Sequence, residues 1–200
     1  MAGEVKFRKK LSREQFRVFM AAQPACLVVF EAGGSASYWA REMEALGHEA
    51  RLIAPQYVRP FLKRQKNDAA DAEAIVIAAR QPEMRFVAPK TADQQAKAVL
   101  LRGHERLDHQ RTELVNALRA VLYEYGHLFP VGFGHVKRIA ALVGNPDCDL
   151  PALVFAECED LLAQIAEKTE RIEAKTKALK ALAADTDTAR RLQTMPGVGP

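Results

Sequence analysis

Asp68 and Asp71 sit three residues apart in Lys66-Asn67-Asp68-Ala69-Ala70-Asp71-Ala72-Glu73. As the first turn of a helix, this spacing puts both carboxylates on one face, with Cβ atoms about 5–6 Å apart. Two like charges at that distance repel unless a cation lies between them or a helix N-terminus stabilises them. Arg59, Lys63, Arg64 and Lys66 lie just upstream. Metal-binding acids beside a phosphate-attracting surface point to phosphodiester chemistry. A plainer reading stands beside this one. Asp68 could be an N-cap, with Asp71 in the place of the capping-box acid.

A third acid, Glu31, follows the apolar run Leu27-Val28-Val29-Phe30, which reads as a buried strand. Ser35 then opens a helix carrying Tyr38, Trp39, Met43 and Leu46, closed by Gly47. Arg51-Leu52-Ile53-Ala54 follows as a second short strand. Strand, helix and strand in so short a span form a βαβ unit, so the two strands should be parallel. Glu31 then lies at the carboxyl end of a parallel strand, where open α/β sheets bind ligands. A solvent-exposed acid at a strand exit is the equal alternative.

The elements around these residues follow from punctuation. Residues 4–10 alternate loosely and fit an edge strand, and Ser12 resembles the N-cap of a helix over Arg13–Ala21. Pro55 to Pro60 reads as a turn or irregular link, and the helix bearing Asp68 and Asp71 runs to about Arg80. Met84 to Val87 reads as a last short strand.

Beyond Pro89 the composition shifts to helix formers. Leu100, Leu107, Leu114 and Val121 repeat every seven residues, with Leu118 and Tyr125 partly filling a second seam. That predicts a long amphipathic helix over 92–125, although His104 and Arg111 interrupt the seam. A Gly/Pro-punctuated link runs from Gly126 to Pro151. A second long helix follows over 152–183, with Cys158, Ile165, Ile172 and Leu179 as its repeat and Thr169 and Thr176 as imperfect partners. The two helices could pair within the chain or between subunits. The tail, Met195-Pro196-Gly197-Val198-Gly199-Pro200, could begin a helix–hairpin–helix element or simply be a Pro/Gly end.

Composition narrows the function class. The 200 residues are 48% hydrophobic, which suffices for a packed core. The net charge of +4 is concentrated in two clusters. One comprises Lys6, Arg8, Lys9, Lys10, Arg13 and Arg17; the other spans residues 59 to 66. Such clusters favour a polyanionic partner, a solvated face being the plainer alternative. Cys26, Cys148 and Cys158 read as reduced thiols of a cytosolic protein, with Cys26 buried in a strand. No ligand spacing suggests zinc. No apolar run approaches a membrane span, and the basic N-terminus lacks a signal-peptide core.

These segments resemble the DEDD-type transposases of bacterial insertion sequences, the 110/1111 group. The resemblance is carried by Lys9-Lys10-Leu11-Ser12, by Phe30-Glu31-Ala32 with Ser35 through His48, and by Leu52 through Val58 continuing from Lys66 to Ile75. Met84-Arg85-Phe86-Val87 and the terminal Pro196-Gly197-Val198-Gly199-Pro200 complete it. It implies an α/β fold in three parts. Residues 1–90 would be a partial ribonuclease-H/RuvC-like domain, 91–185 a helical, coiled-coil-like linker, and 186–200 the start of a helix–hairpin–helix transposase domain.

Carried over by position, Glu31, Asp68 and Asp71 would be the second, third and fourth acids of the tetrad. They would hold Mg²⁺ or Mn²⁺ for DNA cleavage and strand transfer. Arg59, Lys63, Arg64, Lys66, Gly197 and Gly199 would contact nucleic-acid backbone. The implied partners are insertion-sequence DNA, a structured guide RNA and a second copy joined through the long helices, in the cytoplasm and with no membrane. The family's first Asp, in a Gly-x-Asp strand, and its catalytic serine have no counterpart here. The expectation is therefore a catalytically incomplete, marginally stable fragment. The alternatives are an inactive DNA-binding or oligomerisation module and a RuvC-like junction nuclease.

Overall fold

The computed structural model describes residues 8–62 and 67–199. Its contacts divide the chain into two compact units, Met1–Gln95 and Ala96–Pro200. The first is a small α/β layer structure and the second is helical.

In the first unit, α1 (Arg13–Ala21) opens with a capping box at Ser12. The Ser12 hydroxyl accepts the Gln15 N–H at 3.3 Å, and the Gln15 side chain accepts the Ser12 N–H at 2.9 Å. The strand β1 (Leu27–Glu31) leads into α2 (Ala36–Ala45). That helix ends with Gly47 at φ +87°, which lets the Gly47 and His48 N–H groups turn back onto Glu44 and Met43 carbonyls at 3.0 Å. The strand β2 (Glu49–Ile53) then pairs parallel with β1, in a register that sets Leu27 opposite Glu49 and Glu31 opposite Ile53. The predicted βαβ unit is present. The short β3 (Phe86–Val87) adds antiparallel to the other side of β2, giving the order β1-β2-β3.

The pleat distributes side chains to two faces. Ala50 and Leu52 of β2 join Met20, Ala40 and Met43 beneath α1 and α2. Ile53 turns the other way and is buried with Val58, Ala74 and Ala78. These alanines belong to α4 (Asp68–Ala79), which packs against β1. The sheet is thus covered on both faces.

Several expectations change on contact with the structure. Pro55–Pro60 is helical rather than irregular: α3 (Pro55–Val58) runs into a 3₁₀ turn over Arg59–Phe61. Pro55 at the first helical position has its φ already set for a helix and loses no needed N–H there. Residues 8–10 are not strand, and the remainder of the predicted 4–10 strand lies outside the described residues. Cys26 is exposed and precedes β1 rather than being buried in it. The apolar run it adjoins starts one residue later.

In the second unit, α5 (Ala92–Glu124), which belongs to it from Ala96 onward, and α7 (Ala152–Ala184) fold back on each other. Val115, Leu118 and Leu122 share a core with Cys158, Leu161 and Ile165, while His104 meets Thr176 at 3.0 Å near the other end. The pairing is therefore antiparallel and within the chain. The seam departs from strict sevens: from Leu107 it moves to Val115 and Leu122, leaving Leu114 and Val121 at its margin. A straight helix drifts by about 20° per heptad, enough to change which residue faces inward. The predicted 126–151 link contains α6 (Val136–Val143), whose Ile139 and Val143 are buried in the same core. Last comes α8 (Asp187–Leu192).

Candidate metal centre

One hydrogen bond settles which residue caps α4. Asn67 is the N-cap, its side-chain oxygen accepting the Ala70 N–H at 2.8 Å. Asp68 is therefore the first helical residue and Asp71 the fourth, and neither performs the cap's task. Both are held in the first turn, where the helix N-terminus favours negative charge. Asp71 is additionally fixed by its N–H, which donates to the Asn67 carbonyl at 3.1 Å.

Glu31 is the last residue of β1. Val29, two residues before it, packs into the α4-side core, so the pleat sends Glu31 to the same face of the sheet as the helix bearing Asp68 and Asp71. Beyond Glu31 the chain turns away. The Ala32 N–H continues the ladder to the Ile53 carbonyl at 2.7 Å, and the Gly33 N–H closes onto the Glu31 carbonyl at 2.8 Å. Glu31 and Asp68 are exposed and Asp71 is half-buried. Among the described residues, none of the three carboxylates has an ion-pair partner.

The three are not gathered into one shell. Among the described residues, no three His, Cys, Asp or Glu side chains lie close enough together to hold a metal ion. The fold brings the helix turn of Asp68 and Asp71 and the strand end of Glu31 to one side of the sheet without closing them. In chemistry the set fits a hard divalent cation: all-oxygen donors suit Mg²⁺ or Mn²⁺.

Of the basic residues predicted to face phosphate, Arg59 is exposed at the start of the 3₁₀ turn. Lys63, Arg64 and Lys66 lie outside the described residues. In the tail, Gly197 adopts φ +83° and the Val198 N–H closes a turn onto the Met195 carbonyl at 3.2 Å. Gly199 follows it in the open, and Arg190, in the last turn of α8, is paired with Asp187.

Spacing did not reveal two further features. One is His48, buried at the mouth of β2, whose Nδ1 accepts the Cys26 N–H at 3.3 Å while Nε2 faces the Met20 carbonyl at 3.0 Å. That pair of partners requires the tautomer with the proton on Nε2. The other is a cluster of cations over rings. Arg13 lies 5.2 Å from the ring centres of both Tyr38 and Trp39, and Lys9 lies 4.8 Å from Phe19. The basic cluster of the N-terminus and the aromatic pair of α2 were each visible in the sequence; their juxtaposition was not.

Comparison with known proteins agrees with the residues that carry the resemblance. A family model described as Transposase, of the DEDD type typified by insertion sequence IS110, matches residues 3–127. The chain is 40% identical over 197 residues to the transposase for insertion sequence element IS1328 of Yersinia enterocolitica, covering 98% of this chain and 58% of that protein. It is 42% identical over 199 residues to a putative transposase of Sinorhizobium fredii, covering 96% and 50%. With the transposase for insertion sequence element IS1111A of Coxiella burnetii it shares 33% identity over 198 residues, covering 98% and 54%. The chain thus spans about half the length of the curated relatives it matches. No solved structure matches it. No helix among the described residues is long and apolar enough to cross a membrane.

Proposed function

Because this chain belongs to the DEDD-type insertion-sequence transposase family, we propose that it supplies the acid-bearing unit of an enzyme that cleaves and transfers DNA strands. The observation that carries this reading is the placement of three carboxylates, none neutralised by an ion pair among the described residues. Glu31 ends a parallel strand, and Asp68 and Asp71 occupy the first turn of the helix packed on the same face. The parallel β1–β2 pair, the antiparallel β3 and the helices on both faces support a ribonuclease-H/RuvC-like domain. The divisions at 1–90, 91–185 and 186–200 belong to the same proposal.

Glu31, Asp68 and Asp71 would hold Mg²⁺ or Mn²⁺. When bound, such ions supply charge stabilisation for the attacking and leaving oxygens of a phosphodiester. The chain's own contribution is positional. Asn67 frees Asp68 from capping, and the α4 alanines seat the helix against the sheet. Arg59, with Lys63, Arg64 and Lys66, would take the DNA backbone, and Gly197 and Gly199 would let backbone amides approach a phosphate. Insertion-sequence DNA is the proposed substrate. A structured RNA and a second copy of the chain are the proposed partners.

The test uses Asp68→Asn and Asp71→Asn. In a full-length transposase carrying this region, either change should abolish metal-dependent strand exchange while leaving the melting curve in place. In this chain, each should weaken Mn²⁺ binding read by electron paramagnetic resonance. Wild-type strand exchange by both variants would end the metal assignment. A second reading, a non-catalytic DNA-binding or oligomerisation module, is favoured by the unclosed carboxylates. It predicts DNA binding by this chain with no Mn²⁺ binding at all.

A further inference from the structure

The surface between α1 and α2 differs from the rest of the basic N-terminal segment. An open groove of about 550 Å³ is bounded there by Lys9, Leu11, Arg13, Phe16, Phe19 and Trp39. Its volume falls in the range of about 300–1,000 Å³ typical of small-ligand sites. Among the described residues, no acid lines it. Two neighbouring cations of the same segment are neutralised. Arg8 pairs with Glu73 at 3.2 Å and Arg17 with Glu42 at 2.8 Å. Lys9 and Arg13 have no ion-pair partner among the described residues and lie over rings instead. The groove therefore combines two cations outside any ion pair with an aromatic floor, Glu14 standing at its rim, where its own backbone N–H, the Ser12 hydroxyl and the Arg13 charge help hold its carboxyl below the usual range.

The floor is rigid. Phe16 braces Trp39 edge-on, with centroids 5.1 Å apart and planes at 79°. Phe16 in turn abuts Phe30 of β1 at 6.5 Å. The Arg13 guanidinium covers Trp39 and Tyr38 and offers its own planar outer face. Aromatic rings and guanidinium planes are the surfaces on which unpaired bases stack, and adjacent cations follow their phosphates. Paired bases cannot present their faces in this way.

We infer that this groove binds an unpaired stretch of DNA, with a base stacked on the Arg13–Trp39 platform and Lys9 and Arg13 on the flanking phosphates. The inference rests on DNA being the substrate, as proposed above, and adds where an unpaired strand would lie. Deoxyribose suits the lining. Its hydroxyl, Ser12, is already committed, accepting from the Gln15 N–H and donating to Glu14 at 3.0 Å.

Trp39 is the chain's single tryptophan, so its fluorescence reports on the groove alone. The 200-residue chain is titrated with a short oligothymidine, with its uridine counterpart, and with a duplex. Tryptophan emission and the anisotropy of the labelled oligomer are read together. Saturable quenching by the DNA single strand is expected, with little from the duplex. Arg13→Ala and Lys9→Ala, both exposed positions, should each lower the salt slope of binding by about 0.7 with unchanged melting curves. Trp39→Leu should weaken binding about tenfold or more by anisotropy. Binding without quenching, and unaffected by Arg13→Ala, overturns the groove while leaving DNA as substrate. Preferential quenching by the RNA oligomer or by the duplex also overturns it. Strand exchange that survives Asp68→Asn and Asp71→Asn removes the catalytic reading and leaves a quenching result standing.

Discussion

The side-chain oxygen of Asn67 accepts the backbone N–H of Ala70 at 2.8 Å. This one bond separates two roles that the sequence leaves merged in a run of capping residues. The cap belongs to Asn67, and the acid next to it is available for other work. Asn67→Ala should therefore cost about 1 kcal/mol of stability in urea unfolding, with Asn67→Asp largely retaining it. Asp68→Asn should change stability by less than half as much. An equal loss for Asp68→Asn would make that carboxylate structural.

Buried hydrogen bonds at His48 hold the α1 exit to the start of β2. His48→Ala removes the acceptor of the Cys26 N–H and one donor to the Met20 carbonyl, which keeps the Gln23 N–H at 2.9 Å. A loss of about 1–3 kcal/mol is expected in equilibrium unfolding. A wild-type midpoint would show that water replaces the ring at no cost.

The thiols should separate by burial. Cys158 lies in the helical core, and its pKa is raised by burial first and then by Cys148 and Glu157 nearby. Cys26 is exposed. A thiol reagent should label Cys26 in the native protein and reach Cys158 only on unfolding. The sign of the pH effect follows from linkage. A thiol whose folded pKa exceeds its unfolded value keeps its proton longer in the native state. Its contribution is complete below the ordinary thiol pKa and is lost as pH rises from there through the folded value. Cys158→Ala should flatten the alkaline fall in stability of the second unit. An unchanged alkaline limb would remove Cys158 as its source.

The hairpin of α5 and α7 carries a polar contact where a strict seam would carry leucines. The Thr176 hydroxyl donates to the Ile172 carbonyl at 2.9 Å, so it accepts from His104 Nε2. A double-mutant cycle of His104→Ala and Thr176→Val should give a coupling of about 1 kcal/mol. Strictly additive losses would indicate that the two groups do not communicate.

Much of this architecture is legible in the residues. Leu27 to Phe30, the helix carrying Trp39 and closed by Gly47, and the run from Arg51 to Ile53 announce a parallel βαβ unit, and it is there. The ends of both long helices fall within a residue or so of their predicted places. In α7 the sevenfold repeat holds, with Cys158, Ile165 and Ile172 buried, whereas in α5 the stripe shifts by one residue after Leu107 because a straight helix turns every 3.6 residues. The helix α6 lies amid glycines and prolines that read as a link, although Val136, Ile139, Ala140 and Val143 have helical spacing. For the candidate site, spacing paired Asp68 with Asp71 but gave no distance to Glu31. The alternation of Val29 and Glu31 fixes only which side of the sheet Glu31 occupies. The meeting of Arg13 with Trp39 depends on how α1 crosses α2, which no local pattern encodes.

Ala74 and Ala78 are buried against Ile53, the residue opposite Glu31 in the ladder. Each is a single methyl thick, so α4 settles as near to the strands as a helix bearing side chains can. Those methyls act as a shim whose thickness sets how far the carboxylates of one layer stand from that of the next. Substituting Ala78 by Leu would wedge the layers apart at a cost of about 1–3 kcal/mol. It would also move two acids without altering either, so the tolerance of the chemistry is written in residues that bear no charge.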